Sequence, residues 1–171
     1  MSGTDEARTS LAALAALLAP AHEAVAARVL HAHDDPAGYV RDHAAQLAER
    51  GIAGPRPDLA WTALVDALAD HRLLAELDWK EDAEEIRAQL RALASRPSVD
   101  PWVLVDAQDM LLPTHEFLQA CGRHYRDVGA ALAVLDIDSD CYPVVSLRAA
   151  RVEELTALAA RAGFTARGLG A

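Results

Sequence analysis

The sequence predicts an α+β fold, in which a mainly helical N-terminal half packs on a small three- to four-stranded sheet with a C-terminal helix. Before residue 97 the apolar residues recur at helical spacing, whereas apolar runs of strand length appear after it. Hydrophobic residues make up 52% of the chain, yet it has only three Trp, three Tyr and two Phe. We therefore expect a core of Leu, Val and Ala between closely packed helices. The length of 171 residues predicts one domain, 1–171, with 1–97 mainly helical and 98–171 α+β.

Capping and breaking residues divide the N-terminal half into helices. Ser10 predicts the N-cap of a first helix with a leucine stripe, and Pro20 ends that helix. Residues 24–30 form a second apolar segment. Asp35–Pro36 marks another helix start, because Asp suits the N-cap and Pro suits the first helical position. Asp58 predicts the cap of a further helix.

Three more helices follow from the same signals. Asp78 with Glu81 three residues later is a capping-box pattern, so a helix is predicted to begin there. Thr114 predicts the cap of an amphipathic helix. Residues 152–163 predict the C-terminal helix, which ends at Gly163.

Apolar runs and alternating segments predict the strands. They lie at residues 74–79, 102–105, 131–136 and 142–148, with residues 164–166 as a last short strand. Between the third and fourth of these, Asp138, Ser139 and Asp140 predict a tight hairpin turn, because Asp and Ser favour turns.

Charge and cysteine content narrow the classes of function. The chain has 26 acidic and 16 basic residues, a formal charge of −10, and its basic residues are scattered singly. We therefore expect no nucleic-acid binding and favour a basic protein as partner. No apolar run is long enough for a membrane span. Two cysteines, Cys121 and Cys141, form no disulfide framework and the N-terminus lacks a basic signal region, which predicts a cytoplasmic protein. The Ala- and Arg-rich, Lys-poor composition is typical of high-GC bacteria.

Three carboxylates, Asp136, Asp138 and Asp140, alternate after a buried strand. In an extended stretch they would project to one side, at a spacing suited to a hard cation. One hypothesis is therefore a divalent-metal-dependent hydrolase, in which this turn holds the ion and activates water. The EF-hand pattern is not met, because Cys141 and Leu147 occupy the positions of its Gly and Glu. The alternative is a solvated hairpin turn in which Asp136 or Asp140 accepts backbone N–H bonds.

Asp78, Trp79 and Lys80 form the second candidate group. One interpretation makes Trp79 a binding platform beside Lys80, the chain's only lysine. The other makes this segment a helix start, with Asp78 as cap and Trp79 packed on the core. A third functional hypothesis is a small-ligand pocket next to Trp79 and Tyr142.

Two segments, Leu77–Lys80 and Leu135–Val144, resemble a bacterial family of unknown function, DUF6630. The similarity covers roughly residues 70–165, including the closing helix from Glu153 to Gly163. Cys141 departs from the family pattern, where a small polar residue is expected. The resemblance implies a fold but no activity, catalytic residue or cofactor. The acidic hairpin is also similar, by analogy alone, to one in immunity proteins that neutralise bacterial toxins.

The first functional hypothesis is a non-enzymatic interaction module that attracts a basic partner through an acidic surface. No catalytic residue, metal-ligand set or cofactor is predicted. The surface would include seven acidic residues: Glu81, Asp82, Glu84, Glu85, Asp136, Asp138 and Asp140.

Overall fold

The computed structural model describes residues 2–171. The helices in this part of the chain are α1 (Gly3–Leu18), α2 (Glu23–Asp34), α3 (Pro36–Asp42), α4 (Ala44–Glu49), α5 (Leu59–Asp70), α6 (Ala83–Arg91), α7 (Thr114–Asp127) and α8 (Val152–Ala162). The strands are β1 (Ala75–Asp78), β2 (Ala130–Leu135), β3 (Cys141–Arg148) and β4 (Ala166–Gly168). They form one antiparallel sheet in the order β1-β3-β2-β4. The predicted α+β fold is confirmed.

Helices cover both faces of the sheet. Cross-strand partners project to the same face and neighbours along a strand alternate, so β2 and β3 each supply two apolar faces. Ala133 and Val145 join a core with α1, α2, α5 and α8. Leu132 and Val144 join a second core with α6 and α7. All six residues of β2 are buried, which follows from this double covering.

Three of the predicted strands correspond to β1, β2 and β3 within a residue at each end. The last strand lies at Ala166–Gly168 instead of 164–166. The predicted strand at 102–105 is wrong, because Pro101–Leu104 forms a 3-10 helix. There the carboxylate of Asp100 accepts a hydrogen bond from the Trp102 backbone N–H at 3.0 Å. Trp102 is buried while Val103 is 80% exposed, so the apolar run does not form a core strand.

Helix α1 begins earlier than its sequence predicts. Its N-cap is Ser2, whose hydroxyl accepts a hydrogen bond from the Asp5 backbone N–H. The predicted cap, Ser10, lies buried within the helix. The helix ends at Leu18, two residues before Pro20 as predicted. At the start of α3, Asp35 does act as the predicted N-cap.

Two other predicted caps have different roles. The N-cap of α6 is Asp82, whose carboxylate accepts from the Glu85 backbone N–H at 2.8 Å. Asp78 is therefore not the helix cap. Thr114 is the first residue of α7, and its hydroxyl donates to the carbonyl of Glu81 at 2.9 Å. This bond ties the start of α7 to the segment that precedes α6.

The C-terminal segment lies against α7 at a glycine. An added Cβ on Gly122 would lie 2.5 Å from the carbonyl carbon of Leu169. Gly170 has a φ of 75°, and its own Cβ would lie 2.4 Å from the backbone nitrogen of Arg123. The close approach therefore requires glycine at both positions.

Within residues 2–171, no helix is both long and apolar enough to cross a membrane.

Candidate functional site

Strand pairing brings the two candidate groups together at one end of the sheet. Asp78 pairs with Cys141 across β1 and β3. The backbone N–H of Trp79 then donates to the carbonyl of Asp140 at 3.0 Å. Residues 78–82 and 136–140 are thus neighbours although they are far apart in sequence, and we call these two segments the acidic corner.

The side chains of the turn from β2 to β3 stabilise it themselves. The Asp136 carboxylate accepts from the Asp138 backbone N–H at 2.8 Å, and the Ser139 hydroxyl accepts from the Cys141 backbone N–H at 3.2 Å. Asp138 has a φ of 55°, a left-handed conformation that Asp tolerates better than most residues. The three carboxylates Asp136, Asp138 and Asp140 are exposed to solvent.

The first residue of this turn is held in place from both sides. The indole N–H of Trp61, on α5, donates to the Asp136 carbonyl at 2.8 Å. The Asp136 backbone N–H donates to the Thr165 carbonyl at 2.9 Å. Trp61 is buried and stacks on Phe164, with 4.9 Å between ring centroids. The helical core therefore fixes the position from which the acidic turn projects.

The predicted hairpin turn at Asp138, Ser139 and Asp140 is confirmed, whereas the extended arrangement of the three aspartates that the metal hypothesis required is not found. The left-handed Asp138 turns the chain, and the Asp136 carboxylate is engaged by a backbone N–H. Among residues 2–171, no three His, Cys, Asp or Glu side chains are grouped so that they could hold a metal ion. The arrangement therefore gives no support to the metal-dependent hydrolase.

Trp79 lies on the surface of the corner and not in the core. Its side chain is 50% exposed, and the Lys80 ammonium lies 4.6 Å from the ring centroid, within cation–π distance. The Asp78 carboxylate accepts from the Lys80 backbone N–H at 2.9 Å. The interpretation that packed Trp79 on the core is wrong, and the exposed indole is available to a partner.

Tyr142 belongs to a different face of the sheet from Asp78. It pairs with Leu77, and both face the core with α6 and α7, whereas Asp78 pairs with Cys141 on the other face. The Tyr142 ring lies 6.5 Å from that of His115. The candidate residues therefore share one end of the sheet but not one face of it.

A partly buried ion-pair network on the Asp78 face was not predicted from the sequence. The Arg50 guanidinium lies 2.6 Å from Oδ1 of Asp66, on α5, and also binds Glu76, on β1. Burial raises the pKa of the Asp66 carboxyl, and the Arg50 charge opposes this rise. The available signal was Asp66 within the mainly apolar run of residues 59–68, all of which the structure buries. An acid in such a helix requires a partner.

Both thiols are in surroundings that disfavour the thiolate. Burial raises the pKa of Cys121 to about 12, since the side chain lies in the core beside Phe117 and Tyr125. Burial, together with the charges of Glu76 and Asp78, raises the pKa of Cys141. Neither cysteine therefore has the lowered pKa of a catalytic nucleophile.

Two helical layers enclose the sheet, and an acidic corner with an exposed tryptophan projects from one end. These features define an α+β protein whose candidate site is an exposed, charged surface. The chain belongs to the family described as domain of unknown function (DUF6630), whose model matches residues 10–169. The match extends the resemblance at 70–165 to the N-terminal helices. No curated protein and no solved structure matches the chain.

Proposed function

We propose that the protein is a non-enzymatic interaction module of the bacterial cytoplasm, which binds a basic protein through the acidic corner. The observation that carries the proposal is the half-exposed Trp79, held next to the Asp turn by the bond from its backbone N–H to Asp140. Exposed tryptophans at the centre of a charged rim are typical energetic centres of protein interfaces.

The charge of the corner favours a basic partner. Its exposed side chains include five aspartates and one lysine: Asp78, Lys80, Asp82, Asp136, Asp138 and Asp140. Exposed Glu84 and Glu85 extend the negative surface onto α6. Such a field accelerates association with a positively charged protein and fixes its orientation.

Apolar side chains next to the corner add contact area. The Thr114 hydroxyl binds the carbonyl of Glu81, so the residues preceding Thr114 lie beside the corner. Among them Leu111 is 80% exposed, and Leu112 is also exposed. A partner with basic and apolar groups therefore fits this end of the molecule better than a purely polar one.

A quantitative affinity purification from a bacterial lysate tests the proposal. The bait is the full chain, compared with a corner variant that combines Trp79→Ala, Asp138→Asn and Asp140→Asn. A control variant removes three exposed acids elsewhere, through Glu6→Gln, Glu23→Gln and Glu153→Gln. We expect one basic protein to be enriched about tenfold over the corner variant, to be retained by the control, and to be lost between about 0.05 and 0.5 M salt.

Equal recovery on the wild-type chain and the corner variant would contradict the proposal. So would binding that does not weaken with salt, because exposed charges are screened in that range.

A further inference from the structure

A groove of about 770 Å³ lies at the opposite end of β2 and β3 from the acidic corner. Its walls are the turn after α1 (residues 17–22), the segment after α6 (residues 94–98) and the ends of the two strands. β1 pairs with β3 only as far as Val144, so residues 145–148 of β3 extend beyond it. Residues 146–148 of this extension form one wall of the groove. Measured along β3, they lie about 20 Å from the acidic turn.

The charge of this groove is opposite to that of the chain. Arg96, Arg148 and Arg151 line it, and no Asp or Glu does, although the chain has 26 acids and 16 bases. Arg151 forms an ion pair with Glu154 at 2.7 Å. Within residues 2–171, Arg96 and Arg148 have no carboxylate oxygen within 4.0 Å. Two guanidinium groups are therefore available to an anion.

The remaining lining is largely apolar. Its apolar residues include Leu17, Leu18 and Leu73. The volume lies in the range of small-molecule sites, which combine apolar walls with a few polar groups that fix orientation. The complementary ligand is therefore a small molecule with an apolar body and a negatively charged group.

We propose that this groove binds a small organic anion through Arg96 and Arg148, with its apolar body against the leucines. The anionic group is a phosphate or a carboxylate, since guanidinium groups bind both through paired hydrogen bonds. The site is independent of the proposed partner surface, because the two lie at opposite ends of the sheet.

Isothermal titration calorimetry of the full chain with n-hexyl phosphate, hexanoate and inorganic phosphate tests the site. We expect saturable 1:1 binding of at least one alkyl anion, and weaker binding of inorganic phosphate because it has no apolar body. The two alkyl probes distinguish a phosphate site from a carboxylate site. Arg96→Gln with Arg148→Gln should weaken binding at least about tenfold, as expected for the loss of charged hydrogen bonds.

The matched control combines Arg41→Gln with Arg161→Gln, two exposed arginines outside the groove. It changes the net charge equally and should leave the affinity within about twofold of the wild type. Arg148→Gln alone provides a milder variant, because Arg96 also donates to the Leu93 carbonyl at 3.0 Å. The absence of saturable binding with all three probes would overturn the proposal, as would an equal loss of affinity in the control.

Discussion

The guanidinium of Arg50 lies 2.6 Å from Oδ1 of Asp66, a carboxylate that is 3% exposed. The same guanidinium reaches Glu76 on β1, so it links helix α5 to the edge strand next to the acidic corner. The second oxygen of Asp66 has no hydrogen-bond partner in residues 2–171. Arg50 is therefore the main compensating partner of the Asp66 charge, and Arg28 adds a weaker electrostatic contribution.

Replacing Arg50 should destabilise the protein strongly. Arg50→Met leaves Asp66 buried without its counter-charge, which costs about 3 kcal/mol and lowers Tm by about 6 to 12 °C. Adding Asp66→Leu should restore part of the loss, because no buried charge then remains. Thermal unfolding followed by circular dichroism measures both, with Arg41→Met as a surface control. A double variant no more stable than Arg50→Met would contradict this account.

The left-handed conformation of Asp138 predicts an unusual ranking of substitutions at this position by their effect on stability. Asp138→Gly should be neutral or slightly stabilising, since glycine adopts a positive φ without strain. Asp138→Val should lower the free energy of unfolding by about 1 to 2 kcal/mol, because a residue with a Cβ is strained at a positive φ. Asp140→Val, at an exposed position without positive φ, is the matched control and should cost less. Urea unfolding gives these free energies, and equal effects of the two valines would count against the turn geometry.

Gly122→Ala should lower stability although alanine favours helices. The added Cβ would lie 2.5 Å from the Leu169 carbonyl carbon, so the C-terminal segment must shift, at a cost of about 1 to 3 kcal/mol. Gly3→Ala, where nothing lies within 4 Å, should be neutral or stabilising. The free energy of unfolding in urea distinguishes the two, and a stabilising Gly122→Ala would refute the close contact.

The two thiols should differ in reactivity toward iodoacetamide. Cys121 is buried with a pKa raised to about 12, so it should stay unmodified in the folded protein. Cys141 is partly exposed with a raised pKa, so its alkylation should be slow at neutral pH and should still accelerate above about pH 8.5. Mass spectrometry of the Cys141→Ser variant measures labelling of Cys121 alone. Rapid labelling of that variant would contradict the burial of Cys121.

Local patterns identified β1, β2, β3 and most helices because each carries its own periodicity or cap. The strand prediction at 102–105 failed because a short apolar run does not distinguish a strand from a 3-10 helix. Asp100 and Pro101 were the signals for the turn, since Asp favours turns and Pro suits a first helical position. The two groups of the acidic corner were predicted separately, and the pairing of β1 with β3, which continues into the bond from Trp79 to Asp140, brings them together.

No local sequence pattern predicts the groove lined by Arg96 and Arg148. Arg96 and Arg148 are far apart in sequence, so the scattered basic residues gave no sign of a basic cluster. They meet because α6 and β3 end near the same side of the sheet. The Arg50–Asp66 pair was missed for a similar reason, since its members lie on different elements and neither has a motif around it.

The burial of β2 on both faces of the sheet determines how its amides become exposed to solvent. β2 pairs with β3 on one edge and with β4 on the other, and helices lie over both faces. Solvent deuterium can reach its amides only when pairing and covering are lost together. Exchange at Ala131–Leu135 therefore reports global unfolding, whereas the exposed turn at 138–140 exchanges through local fluctuations.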